Sequence, residues 1–153
     1  MGSTCFFIGH HNAPQSVSPL LDEAVERHIT EYGVTRFIVG HYGAFDSMAA
    51  GAVIHAKKEH ENIELQLLLP YHPAERKIEL PEGFDSSYYP EGMEKAPRRV
   101  AIVRANEYVI RHVCEYLICY DLYLATKTHD FVEVARVQEA KGGLYIKNLA
   151  EPL

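Results

Sequence analysis

A chain of 153 residues, 47% hydrophobic and 24% charged, has the length and balance of one globular domain with a sizeable core. No apolar run is long enough to span a membrane, and 15 Lys and Arg against 21 Asp and Glu, a net charge of −6, argue against a face for extended nucleic acid. The start shows no basic-then-apolar leader, Phe6 breaks the myristoylation motif that Gly2 would open, and Cys5, Cys114 and Cys119 form no Cys-x-x-Cys, so buried reduced thiols in a cytoplasmic protein are expected.

In chain order, apolar runs alternate with amphipathic segments. Thr4 to Ile8 reads as the first strand. Ser18-Pro19 reads as a helix start, Ser18 as the cap and Pro19 as the first helical residue. Leu20, Leu21, Ala24, Val25, His28, Ile29 and Tyr32 mark its buried face, and Gly33 its stop. Arg36 to Val39 is the second strand. A helix from Phe45 to Glu59 follows, burying Met48, Ala49, Ala52, Val53 and Ala56. Leu65 to Leu69 is the third strand, stopped by Pro70. Tyr71 to Pro97 is a proline-rich excursion, read either as a lid or as a structured detour.

A helix from Arg98 to Val113 comes next, with Ala101, Ile102, Ala105, Tyr108, Val109 and His112 on its buried face. Tyr116 to Tyr120 is the fourth strand, Thr128 to Ala140 the last helix, and Leu144 to Ile146 the fifth strand. Near-continuous apolar strands alternating with helices predict a parallel sheet covered on both faces. The expected fold is a three-layer Rossmann-like α/β domain of about five mainly parallel strands, occupying residues 1–153 as one unit. Neither GxGxxG nor GxxxxGK[ST] is present, so a standard dinucleotide site and a P-loop are not expected.

Ligands of open α/β sheets sit beyond the carboxyl ends of the strands. Those ends here are polar: Gly9-His10-His11-Asn12, Gly40-His41-Tyr42-Gly43, Tyr71-His72 and Asp121. The stretch Phe37 to Asp46 reads as a buried strand, a glycine-bearing turn and a helix start, a geometry that aims N–H groups and a positive dipole end at an anion. Gly9, Gly40 and Gly43 would let backbone approach a ligand or take positive φ. Asp46 would complement the helix dipole or hold a ribose hydroxyl. Thr126 and Thr128 would cap the last helix or meet a phosphate, with Lys127 adding charge. Arg104 reads as a phosphate contact or an exposed residue, and Asn106 as a loop or base contact or a plain helical residue. His10, His41 and His72 would meet if the loops converge, but their spacing is no metal-ligand motif and no metal is expected.

Taken together, these residues resemble the SLOG superfamily, which includes DprA, the Lonely-guy phosphoribohydrolases and small bacterial proteins of unknown function. The resemblance is closest to the last group. It rests on Gly9-His10-His11, on Gly40 to Asp46, and on Arg104 with Asn106 ahead of the fourth strand. It implies a Rossmann-like fold that binds a nucleotide or a derivative such as ADP-ribose, and self-association into an oligomer. The ligand set implied is Gly9, His10, His11, Gly40, His41, Tyr42, Gly43, Asp46, Arg104, Asn106, Thr126 and Thr128. The enzyme branch carries Pro-Gly-Gly-x-Gly-Thr-x-x-Glu at the last helix. This chain has Ala125-Thr126-Lys127-Thr128-His129-Asp130-Phe131 there, with Phe131 where the glutamate would fall. His11 replaces the usual Arg. A sensor-type binding protein is therefore the first expectation. A nucleotide hydrolase using His10, His41 or Asp130 as acid or base is the alternative.

Overall fold

The computed structural model describes residues 2–75 and 77–150. Arg76 of the proline-rich excursion, and Met1 and the stretch 151–153 of the expected single domain, lie outside the described residues. Six strands form one sheet: β1 (Ser3–Gly9), β2 (Val34–Val39), β3 (Glu64–Leu68), β4 (Ser86–Tyr88), β5 (Tyr116–Tyr120) and β6 (Tyr145–Asn148). Their order is β4-β3-β2-β1-β5-β6, and every neighbouring pair is parallel. The helices are α1 (Ser18–Thr30), α2 (Ala44–Lys57), α3 (Ala101–His112) and α4 (Lys127–Ala140).

The alternation in β1 explains the three layers. Cys5 and Phe7 point to one face, where α1 and α2 cover them together with Phe37, Leu65 and Ile118. Phe6 and Ile8 point to the other, under α3 and α4 with Ile38, Leu117 and Cys119. A strand buried on both faces has no polar period, hence the unbroken apolar run of Cys5 to Ile8 after Thr4. All three cysteines are buried and reduced. No described helix is long and apolar enough to cross a membrane.

The sheet has six strands rather than about five. The added strand, β4, lies inside the excursion and pairs with the outer side of β3 through Gln66 and Ser86, Leu67 and Ser87, and Leu68 and Tyr88. Its sequence, Ser-Ser-Tyr, is too short and polar to read as a strand. Its position is set by Asp85, whose carboxylate accepts from the Leu65 N–H at 2.8 Å and from Lys57 Nζ at 2.6 Å. Lys57 also donates to the Gly83 carbonyl at 3.0 Å. The excursion thus carries an edge strand and a 3₁₀ turn at Met93–Lys95, and a second 3₁₀ turn at Arg98–Val100 leads into α3.

Other boundaries shift by a few residues. A 3₁₀ turn at Gln15–Val17 leads directly into α1, so Ser18 lies inside the helix and caps nothing with its side chain. Leu20, expected on the buried face, is exposed, as are Ile102 and His112 on α3. Gly33 has φ 70°, the left-handed stop expected of it. The last strand begins one residue later than expected and runs to Asn148.

Candidate functional site

The chain runs outward from central β1 through β2, β3 and β4, then returns to β5 on the other side of β1. Loops leaving β1 and β5 go to helices on opposite faces, and a crevice opens between them. A cleft of about 500 Å³ lies there, within the usual range of small-molecule sites. Of the residues expected from sequence, Gly9, His10, His11, Gly40, Tyr42, Asp46, Asn106, Thr126 and Thr128 line it. Phe7, Ile8, Asn12, Ile102, Tyr123, Lys127 and Phe131 complete the lining.

Three of the expected residues are elsewhere. His41 is exposed and stacks on Tyr42, ring centroids 4.8 Å apart. Arg104 is exposed on α3: Ile102 and Asn106, four residues apart, share the cleft side of the helix, and the residue between them points away. Gly43 packs against the protein rather than into the cleft; a Cβ there would lie 2.4 Å from His11 Cα. His72 is not in the cleft either. It packs edge-on to Tyr89, and its Nδ1 accepts from the Ala74 N–H at 3.0 Å. The strand-end histidines do not converge.

None of Gly9, Gly40 and Gly43 takes the left-handed conformation, Gly43 being extended with φ 172°, and two of the three make room for the protein itself. At Gly9 an added Cβ would fall 2.2 Å from the Phe45 ring, so the missing side chain admits a core phenylalanine. At Gly43 it admits the His11 backbone, whose carbonyl accepts from the Ala44 N–H at 2.7 Å. The first N–H of α2 is therefore consumed by the protein itself. The same helix end also carries Asp46, whose carboxylate accepts from the Tyr42 N–H at 3.0 Å. Burial pushes this carboxyl up to about 6, against the pull of that hydrogen bond.

The N-terminus of α4 is open instead. Thr126 takes an extended conformation, accepts from the His129 N–H at 3.1 Å and donates to the Tyr123 carbonyl at 2.7 Å. The N–H groups of Lys127 and Thr128 have no acceptor among the described residues, and both residues line the cleft. Open N–H groups, a helix dipole and an ammonium group then face the same volume.

His10 has a structural role that its position alone did not reveal. Its Nε2 accepts from the N–H groups of Leu122 and Tyr123, at 2.9 and 3.2 Å. Two donors at Nε2 assign the ring proton to Nδ1. Burial lowers the pKa of the ring, against the pull of nearby Asp121, and keeps it neutral. It thereby ties the end of β1 to the loop that leads into α4. A second tie lies just outside the cleft. The buried Asp121 carboxylate meets His129 Nδ1 at 2.8 Å, and that hydrogen bond raises the His129 pKa. Asn148 on β6 completes the tie by accepting from the Asp121 N–H and donating to its carbonyl.

The sequence matches no protein-family model and no curated protein.

Proposed function

We propose that the cleft binds a nucleotide or nucleotide derivative of the ADP-ribose kind, in a sensor-type protein of the SLOG superfamily. The observation that carries this reading is the open N-terminus of α4, where Lys127 and Thr128 offer N–H groups and a cation to the cleft. Phosphates sit there. Tyr42, Tyr123 and Phe131 provide aromatic surface for a base within the same lining. Titration calorimetry with ADP-ribose, AMP and nicotinamide dinucleotides tests it. Lys127→Gln is expected to weaken binding about tenfold, the loss of one charge-assisted contact, while the melting temperature of the free protein stays put. No heat with any of these compounds at millimolar concentration would overturn the reading.

Asp46 favours a second reading, cleavage of the N-glycosidic bond of a nucleotide. A carboxyl titrating at about 6 inside the cleft suits proton transfer near neutral pH. Phe131, lining the same cleft, supplies no acid from α4. Chromatography of AMP incubated with the protein decides between the two. Free base released by the wild type and not by Asp46→Asn supports hydrolysis, and tight binding without release leaves the binding reading alone.

A further inference from the structure

The face of the sheet under α1 and α2 is covered only in part. On the β5–β6 side a groove of about 370 Å³ runs between α1 and β6, lined by Leu20, Arg27, His28, Tyr32, Tyr145 and Lys147 among others. It shares no residue with the cleft at the strand ends.

His28 is the unusual member. It is 1% exposed, and its Nδ1 lies 2.7 Å from the Ala24 carbonyl one turn back on its own helix. A carbonyl accepts only, so Nδ1 carries the proton and Nε2 is left with a lone pair. That Nε2 is buried and has no hydrogen-bond partner. A buried acceptor without a donor is costly, and native proteins leave few of them. Anchoring Nδ1 on the helix leaves Nε2 enclosed in the aromatic cluster that borders the groove. Tyr32, Tyr116 and Tyr145 surround the ring, with centroids 5.1, 5.6 and 6.5 Å away.

Two further features define what would fit. Tyr145 is 45% exposed on the edge strand and packs edge-on to Tyr32, 5.5 Å between centroids, and Tyr32 itself lines the groove while stacking on Tyr116 at 5.3 Å. Lys147, two residues on and on the same side of β6, has no carboxylate partner among the described residues. Arg27, by contrast, is held by Glu31 at 3.0 Å. The groove therefore combines an aromatic wall, an unmet acceptor buried beneath it and, among the described residues, a lysine without a carboxylate partner, with Glu23 as the carboxylate in the lining.

We propose that the groove between α1 and β6 is a second small-molecule site, which takes a planar aromatic anion carrying an O–H or N–H donor. In this proposal Tyr145 swings aside as the ligand enters, the ligand ring packs against Tyr32, the donor meets His28 Nε2 and the acidic group meets Lys147. The site is independent of the cleft and of its ligand.

The test uses 3- and 4-hydroxybenzoate as probes, with benzoate and phenol as the compounds lacking the donor or the anion. Protein NMR of the full chain reads the side chains of Tyr32, Tyr145 and Lys147 and the ring nitrogens of His28. A hydroxybenzoate is expected to move all four, with the His28 Nε2 resonance moving for it and staying still for benzoate. Benzoate and phenol are each expected to bind about tenfold more weakly, one polar contact's worth. Lys147→Gln, an edge-strand change that leaves the core alone, is expected to erase the advantage of hydroxybenzoate over phenol. His28→Phe keeps the packing and is expected to erase its advantage over benzoate. Shifts confined to Tyr123 and Lys127 in the cleft, equal binding of benzoate and hydroxybenzoate, or no shift at millimolar probe would each overturn the proposal.

Discussion

Asp46 couples stability to pH with a definite sign. Its folded pKa is raised from 3.8 to about 6, so the fold favours the protonated carboxyl. That contribution is complete below the unfolded value and is lost as pH rises through about 6. Such a difference between the folded and unfolded chain is worth at most about 3 kcal/mol. Urea unfolding of the wild type and Asp46→Asn at pH 4.5 and 7.5 is expected to show the variant gaining on the wild type at the higher pH. ADP-ribose binding is expected to tighten as pH falls through about 6 and to be flat in the variant, because the pyrophosphate keeps its charge there. Glycine positions give an independent prediction. Gly9→Ala places a Cβ 2.2 Å from the Phe45 ring and is expected to cost about 1–3 kcal/mol in urea unfolding. Gly51→Ala, in α2 with nothing within 4 Å, is expected to stabilise by about 0.5–1 kcal/mol. From sequence the strand-end glycines pointed to a ligand. Which atom fills the space beside a glycine depends on distant chain, and here it is Phe45 and His11.

At the scale of elements, the connection from β5 to α4 decides whether the cleft has the wall that α4 supplies. It is held by His10 across 112 positions of sequence, by the Thr126 cap and by the Asp121–His129 pair. His10→Phe keeps the volume and leaves the Leu122 and Tyr123 N–H groups without their acceptor. The expected cost is about 1–3 kcal/mol, with faster hydrogen exchange at those two amides than elsewhere in the sheet. β1, β2, β3 and β5 were legible because strands buried on both faces carry continuous apolar runs. β4 was not, because its three polar residues gain their place from Asp85 and Lys57 rather than from their own pattern. On α3 the sequence points to Arg104, whereas Ile102 lines the cleft. The helical period put Asn106 and Ile102 on one side, but the sequence does not say which side faces the strand ends. Tyr123 gave no signal, and Phe131 stood out only as the residue in place of the signature glutamate, because aromatic residues near a helix start usually serve the core.

At the scale of the whole molecule, a parallel sheet has no hairpins, so every strand pairs only after a long stretch of intervening chain. That a crevice would form beyond the strand ends followed from the alternation of strands and helices. Its exact flank followed from the return to β5, which no local pattern encodes. The central position of β1 has a further consequence during synthesis. The chain emerges from its amino end, so β1 can gain β2 early, but its other edge stays bare until residues 116–120 leave the ribosome. Until then the nascent domain carries an unpaired, largely apolar strand edge at its centre, a ready template for another chain. The same late arrival brings Leu122 and Tyr123 to His10 and then α4 to the cleft. The nascent chain thus gains the α4 wall of the cleft only after residues 127–140 have been made.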